Sequence, residues 1–328
     1  MISFIDIFSF SHAIVSCFGM SFNLLLIYLA LFQSPKVIRS YATLIINFGF
    51  TDFSACFFDL FVQQRIIPAG KTLAYISSGL CKHYGPTTCY VGYSLMLHFL
   101  AHSLWSLLLS FSYRYYILLR PAPKRPTLLI ALFIVYLPSL VQWTSFLWAQ
   151  DEPAEIVEIL RERFPEYELD GHIVTGTKNI FSFSALFTIL HMTLPITPVY
   201  CCILILRNRI INRLSIKGVT ITKGTKNLHA QLLMALTYQS LIPGFYLFSV
   251  GSYALGQLGI YYHPALEYFT FSSFLFIPLL SPLASFIFVT PYRHFIIKSL
   301  YKSLKVNPRD ISTTRQYTTT TSHIDVIA

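Results

Sequence analysis

Charge is scarce in this chain. Of 328 residues only 12% are charged, and Asp and Glu together number 14. A soluble domain carries about 25% charged residues. So little charge cannot cover the surface of a water-soluble globule of this length. With 54% hydrophobic residues the chain is not a disordered one either. Cysteine is sparse: six, scattered, with no Cys-x-x-Cys pair. That excludes a disulfide framework and a zinc ribbon. Enzymatic signatures are missing too. There is no His-Glu-x-x-His, no Gly-rich phosphate loop and no Gly-x-Ser-x-Gly elbow. The histidines are scattered, and no pair sits at metal-ligand spacing on an obvious cavity face, so neither a metal nor a cofactor is expected, and the chain does not read as an enzyme.

What the chain has is long apolar runs and aromatic residues, 29 Phe and 21 Tyr. A hydrocarbon core of about 30 Å needs about 20 mostly apolar residues per helix. Seven stretches meet that length: residues 10–33, 41–63, 86–113, 126–149, 181–206, 229–251 and 265–290. The first is too long for a signal-peptide core and follows no basic segment, so it reads as a true span. The fold class is therefore an all-α membrane protein, a seven-span bundle over residues 1–290.

Charge gives the orientation. The connectors after spans one, three and five, with the tail, hold 18 of the 24 Lys and Arg residues; the opposite connectors hold 6. The positive-inside rule then puts the tail in the cytoplasm and the N-terminus outside. Eight of the 14 acids lie between Asp151 and Asp170, on the outer side. The net charge of +10 thus belongs to inner loops beside a lipid bilayer, and no nucleic-acid partner is expected.

Two flanking segments have readable patterns. Asp151-Glu152-Pro153 resembles a helix start, a capping acid before a first-turn proline. Ile156, Ile159 and Leu160 then recur at helical spacing, so a short amphipathic helix is expected over the bundle mouth. Residues 291–310 alternate apolar side chains with Lys298, Lys302 and Lys305, the pattern of a helix on the inner membrane face. Residues 311–328 read as a disordered cytoplasmic tail rich in Ser and Thr. It is either a solubilising end or a phosphorylation cluster for an arrestin-like partner.

Ionisable residues inside spans mark function, because burying a charge in hydrocarbon is costly. They are few: Asp52 and Asp59 in span two, His98 and His102 in span three, His191 in span five, with Glu267 at the outer end of span seven. A transporter would carry more charge at the midplane or two related halves. A channel would carry pore-lining polar rings. These remain the alternative function class.

The arrangement resembles a G-protein-coupled receptor across all seven spans. Asn23 resembles the intrahelical asparagine of that family's span one. Asn47-Phe-Gly-Phe-Thr-Asp52 resembles the rhodopsin-like span-two segment, which implies a polar core of Asn23, Asn47, Asp52 and Ser281. Ser-Tyr-Arg114-Tyr-Tyr stands where the family has Asp-Arg-Tyr, implying that Arg114, Tyr115 and Arg293 face a G protein. Pro243 resembles the span-six kink proline, and Ser281-Pro282-Leu-Ala-Ser285 a degraded Asn-Pro-x-x-Tyr. There are departures. Tyr113 replaces the acid before Arg114, and Leu241 stands at the toggle tryptophan position. Cys89 matches the family's span-three cysteine, but the long outer loop has no partner for it. Cys81 is the remaining outer candidate, and a Cys81–Cys89 bridge or two free thiols are both open.

The chain is most similar to the nematode serpentine receptors of class delta. The stretches that carry this are Gln63-Gln-Arg-Ile-Ile-Pro68, Gly92-Tyr-Ser-Leu-Met-Leu-His98, Ser110-Phe-Ser-Tyr-Arg-Tyr-Tyr116, Leu190-His-Met-Thr-Leu-Pro195, Gly256-Gln-Leu-Gly-Ile260 and Pro291-Tyr-Arg293. The resemblance implies a chemoreceptor of sensory neurons in the cell membrane or a sensory cilium. Its implied partners are a small-molecule ligand and a heterotrimeric G protein. Ligand candidates in the outer halves of the spans are Tyr93, Met96, Leu97 and Leu100, His191, Phe245 and Phe248, and Glu267 and Tyr268. So aromatic a pocket suits a small, mostly apolar ligand.

Overall fold

Runs of apolar residues without Gly or Pro breaks close their own backbone hydrogen bonds as helices, the solution hydrocarbon favours. The computed structural model describes residues 4–35, 39–167, 169, 171–215, 223–242, 244–261 and 263–303. Seven helical stretches among them are long and apolar enough to cross a membrane. Span one is α1 (Phe4–Phe32), span two α2 (Arg39–Val62), span three α3 (Pro86–Ile117) and span four α4 (Arg125–Leu147). Between spans four and five lies α5 (Pro153–Arg163). Span five is two helices, α6 (Phe183–Thr193) and α7 (Ile196–Ser215). Span six is likewise α8 (Lys223–Leu241) and α9 (Gly244–Gln257). Span seven is α10 (Pro264–Phe288), and α11 (Thr290–Ser303) follows directly.

Proline explains the break in span five. Pro195 lacks the N–H that would continue the ladder, and α6 ends two residues before it. The corresponding kink residue of span six, Pro243, lies outside the described residues, as does the tail beyond 303 with its Ser/Thr cluster.

Span seven carries two prolines, Pro278 and Pro282, four apart. The Pro278 carbonyl would normally accept from the N–H of residue 282, which proline does not have. Asn23 supplies the missing donor: its Nδ2 lies 2.9 Å from that carbonyl and 2.9 Å from the Gly19 carbonyl of its own helix. One side chain thus ties span one to span seven.

The sequence reading assigned no strands, and the described residues include three. β1 (Gln64–Ala69) and β2 (Thr72–Ser77) form an antiparallel hairpin after span two. β3 (Ile173–Thr177), from the loop after α5, pairs with β2, giving the order β1-β2-β3. Gly70 at φ 70° opens the two-residue turn, as a II′ hairpin requires. Pro68 sits on the edge strand β1, where it breaks no interior ladder.

Both faces of this sheet are buried, because alternate residues point to opposite sides. Ile67, Ala74, Ile76 and Val174 pack on Ile156 and Leu160 of α5. Ile66, Leu73 and Tyr75 belong instead to the bundle core. The amphipathic helix expected after span four is therefore present, but it is stacked on the sheet and not on the spans. Its N-cap is Glu152, directly before Pro153, and the Glu152 side chain makes no capping hydrogen bond among the described residues. Asp151 is occupied elsewhere, its carboxylate accepting from the Lys178 N–H at 2.6 Å and from the Thr177 hydroxyl at 3.3 Å.

Candidate functional site

The hairpin is fastened to the bundle at several points. A disulfide joins Cys81, in the short 3-10 turn Leu80–His83, to Cys89 in the first turns of α3. Gln257, at the end of α9, donates to the Gly70 carbonyl. Arg65 Nε lies 2.5 Å from Glu267 Oε2, and the guanidinium stands over the rings of Tyr167 and Tyr268, at 4.7 and 4.9 Å. Tyr167 also donates to Glu267 Oε1 at 2.8 Å. Burial alone would lower the Arg65 pKa, but the Glu267 carboxylate outweighs it and holds the guanidinium above its ordinary value.

Beneath this roof the bundle holds a cavity of about 530 Å³ of atom-free space with its open side included. β1 and β2 supply the ceiling through Ile66, Leu73 and Tyr75. Tyr93 and Leu97 of span three and Phe271 and Phe274 of span seven line the inner wall. Span five contributes Thr188, Ile189, Met192 and Thr193, and span six Ser249, Val250 and Tyr253. The lining is mostly apolar and aromatic. Two hydroxyls in it, those of Thr188 and Tyr253, have no hydrogen-bond partner among the described residues. Burial, with Tyr93 alongside, pushes the Tyr75 hydroxyl well above its ordinary pKa, so it stays a neutral donor.

The residues singled out from the sequence are distributed unevenly around this space. Tyr93 and Leu97 line it. Met96 is buried in the core beside it. Leu100 lies one level deeper, in a smaller cavity with Ser103, Gln239, Tyr246 and Ser281. His191 is half-buried between the rings of Trp105 and Phe187. Phe245 stacks on Phe276, outside the cavity lining. Phe248 requires correction: it is 64% exposed on the outside of the bundle. Ser249 and Tyr253 take the inward face of α9, and a helix turns about 100° between neighbours, which aims Phe248 away. Glu267 and Tyr268 belong to the roof clasp. Tyr268 also stacks on Phe8 of span one at 4.6 Å.

Below the cavities runs a buried polar core. Asp52 accepts from the Ser103 hydroxyl at 2.9 Å. Asn47 donates to the Ser106 hydroxyl at 2.8 Å, which in turn meets His102 Nε2 at 3.0 Å. Gln239 donates to the Ser281 carbonyl and hydroxyl at 3.2 and 3.3 Å, joining spans six and seven. Asp59 forms a separate cluster nearer the roof, accepting from Ser16 at 2.8 Å with His12 Nδ1 at 3.3 Å. At the far end Arg114 is 2% exposed and its guanidinium lies 4.0 Å from the Tyr41 ring centroid. Tyr115 is half-buried and Arg293 exposed near the same end. Among the described residues no group of three or more His, Cys, Asp or Glu is arranged to hold a metal.

Seven spans, a two-part span six, a span-three arginine at one end and a covered cavity at the other define the G-protein-coupled receptor fold. Squid rhodopsin is a solved structure of that fold, with a TM-score of 0.60 over 90% of this chain and 80% of its own at 16% identity. Residues 8–298 match the family described as "Serpentine type 7TM GPCR chemoreceptor Srd". Serpentine receptor class delta-18 of Caenorhabditis elegans is 44% identical over 93% of this chain and 91% of its own length. Class delta-19 of the same organism is 43% identical over 94% and 91%. The chain belongs to the class delta serpentine receptors, a family of multi-pass membrane chemoreceptors and not of enzymes.

Proposed function

We propose that this chain is a chemosensory receptor that binds a small, mostly apolar ligand in the roofed cavity and signals to a heterotrimeric G protein. The cavity carries the reading. Its lining is aromatic and aliphatic, and its two unpartnered hydroxyls, Thr188 and Tyr253, ask for one hydrogen-bonding group on an otherwise apolar molecule. The segregation of basic residues supports a sheet that faces outward and a cytoplasmic α11, with its lysines toward anionic lipid. A Cys81–Cys89 bridge suits an oxidising outer compartment. Tyr115 and Arg293, with the buried Arg114 once it is released from Tyr41, then make the contact with the G protein, and a phosphorylated tail is offered to an arrestin-like partner. The setting is the cell membrane of a sensory neuron or its cilium.

The test is expression in a heterologous cell with a calcium readout, against a panel of small apolar compounds each bearing one polar group. A hit whose response vanishes when the G protein is locked by a non-hydrolysable GDP analogue supports the reading. A response that persists under that block would mean a channel or transporter and overturn it.

A further inference from the structure

Among the described residues the cavity is covered on the roof side and is least enclosed between spans five and six. Of its lining residues, those from the roof, span three and span seven are all buried. The partly exposed ones are four: Ile189 and Thr193 on α6, and Val250 and Tyr253 on α9. They face one another across the boundary between spans five and six. The packing of the helices agrees. α6 packs on α4, α9 packs on α10 and β1, and α6 and α9 barely touch. The exposed side chains of these two segments include Leu190 and Leu194 on one and Leu247 and Phe248 on the other. Neither α6 nor α9 carries an Asp, Glu, Lys or Arg.

The roof offers no comparable opening. It is clamped by the Arg65–Glu267 pair, the Gln257 hydrogen bond and the Cys81–Cys89 bridge. Its far face is covered by α5. We infer that the cavity is loaded sideways from the bilayer, through the gap between α6 and α9, by a molecule that has first partitioned into lipid. The inference rests on the cavity being the ligand site.

The physics favours this route. An apolar molecule concentrates in the bilayer because transfer out of water is favourable. A gap whose walls carry no charged side chain adds little desolvation barrier to it, whereas an ion meets hydrocarbon on both sides. Both walls are short helical segments ending at breaks, α6 at Thr193 and α9 beginning at Gly244, so each can lean without unwinding its own span. A ligand passing here pushes on α9, the outer half of span six, so that loading and the first movement of span six are one event.

Thiol chemistry tests this without a ligand and without signalling. The full chain is prepared with Cys17, Cys201 and Cys202 replaced by Ala, since these three are the exposed free cysteines. Leu97→Cys, or Met192→Cys where the first folds poorly, then places a thiol in the cavity. Two probes are compared in intact cells: hexyl methanethiosulfonate, which enters lipid, and the anionic sulfonatoethyl reagent, which does not. The hexyl reagent should modify the cavity thiol and the anionic one should not. Val250→Trp, which fills the gap, should slow the hexyl reaction about tenfold. Arg65→Ala, which loosens the roof, should admit the anionic reagent and leave the hexyl rate unchanged. Equal rates for both reagents with Arg65 in place, no hexyl modification at either position, or a hexyl rate indifferent to Val250→Trp overturns lateral loading. Each of those results leaves the signalling assay free to succeed or fail on its own.

Discussion

Arg65 and Glu267 meet at 2.5 Å, joining the hairpin after span two to the first turn of span seven across 202 residues of sequence. Neither is at the surface: their side chains are 13% and 2% exposed. A carboxylate in the first turn of α10 is also favoured by the helix dipole. The pair therefore fixes the roof over the cavity and fixes where span seven begins.

Removing one partner leaves the other charge buried, which costs about 3–5 kcal/mol where the site cannot admit water. Arg65→Ala should lower the thermal stability of the detergent-solubilised receptor clearly. The double replacement Arg65→Met with Glu267→Leu should recover most of it, since no charge is then stranded. An Arg65→Ala receptor that melts with the wild type would remove the clasp from the account of stability.

The disulfide makes a second prediction. Alkylation of denatured, unreduced protein should label four of the six cysteines, and all six after reduction. Six labels without reduction would show the bridge absent. On the loop-entropy model, a bridge spanning 8 residues stabilises by about 2.5 kcal/mol. Cys81→Ser with Cys89→Ser should lose about that much.

Orientation can be read independently of the bridge. Epitope tags placed in the 151–163 segment should stain on intact cells, and tags in the 207–213 segment only after permeabilisation. Staining of the second in intact cells would reverse the topology and with it the role given to Arg114.

The spans were legible because hydrocarbon thickness imposes a length, and a run of apolar residues announces it. α5 was legible through Ile156 and Leu160, whose spacing survives whatever they pack against. The sheet was not. Its strands are five or six residues each, and β3 joins β2 from the far side of spans three and four. No local pattern encodes that pairing. The local signal that existed was Gly70-Lys71 between two β-rich runs. The cavity followed the same division. Tyr93 and Leu97 could be counted outward from Arg114 along one helix. Ile66, Leu73 and Tyr75 could not be found without the sheet, and Phe248 was misassigned because α9 begins afresh at Gly244 and presents Ser249 and Tyr253 to the cavity.

Thr188 and Tyr253 give the fourth test. An unpartnered buried hydroxyl costs about 1–3 kcal/mol. Thr188→Val and Tyr253→Phe should therefore leave the empty receptor as stable or more so, while weakening a ligand found in the screen by about five- to tenfold each. Unchanged potency in both, at matched surface levels, would mean the ligand brings no polar group to this wall.

Asp52 gives the fifth. It is 1% exposed and takes a hydrogen bond from Ser103. Asp52→Asn keeps the shape and removes the charge, so it should reach the surface normally and change both the dose–response curve and its dependence on sodium. Identical curves at two sodium concentrations would deny the carboxylate a part in switching.

The last prediction concerns the opposite end of the bundle. Arg114 lies against the Tyr41 ring of span two, and the Tyr113 ring stands 6.0 Å from that same ring. With Tyr113 in place of an acid, the aromatic face of Tyr41 does part of what a carboxylate would do, holding the guanidinium inside the bundle. A desolvated cation–π contact is worth about 2 kcal/mol, a factor of about 30 in a two-state equilibrium. Tyr41→Leu removes the ring and keeps an apolar filler of similar reach. If the held arginine belongs to the silent state, its release favours the coupled one, so ligand-independent signalling should rise. Tyr41→Phe keeps the ring and should stay near the wild type, while Arg114→Ala should abolish signalling with normal surface expression. The measurement is basal G-protein activation at matched surface levels. A silent Tyr41→Leu receptor that still answers a ligand would mean that Tyr41 packs the arginine without restraining it.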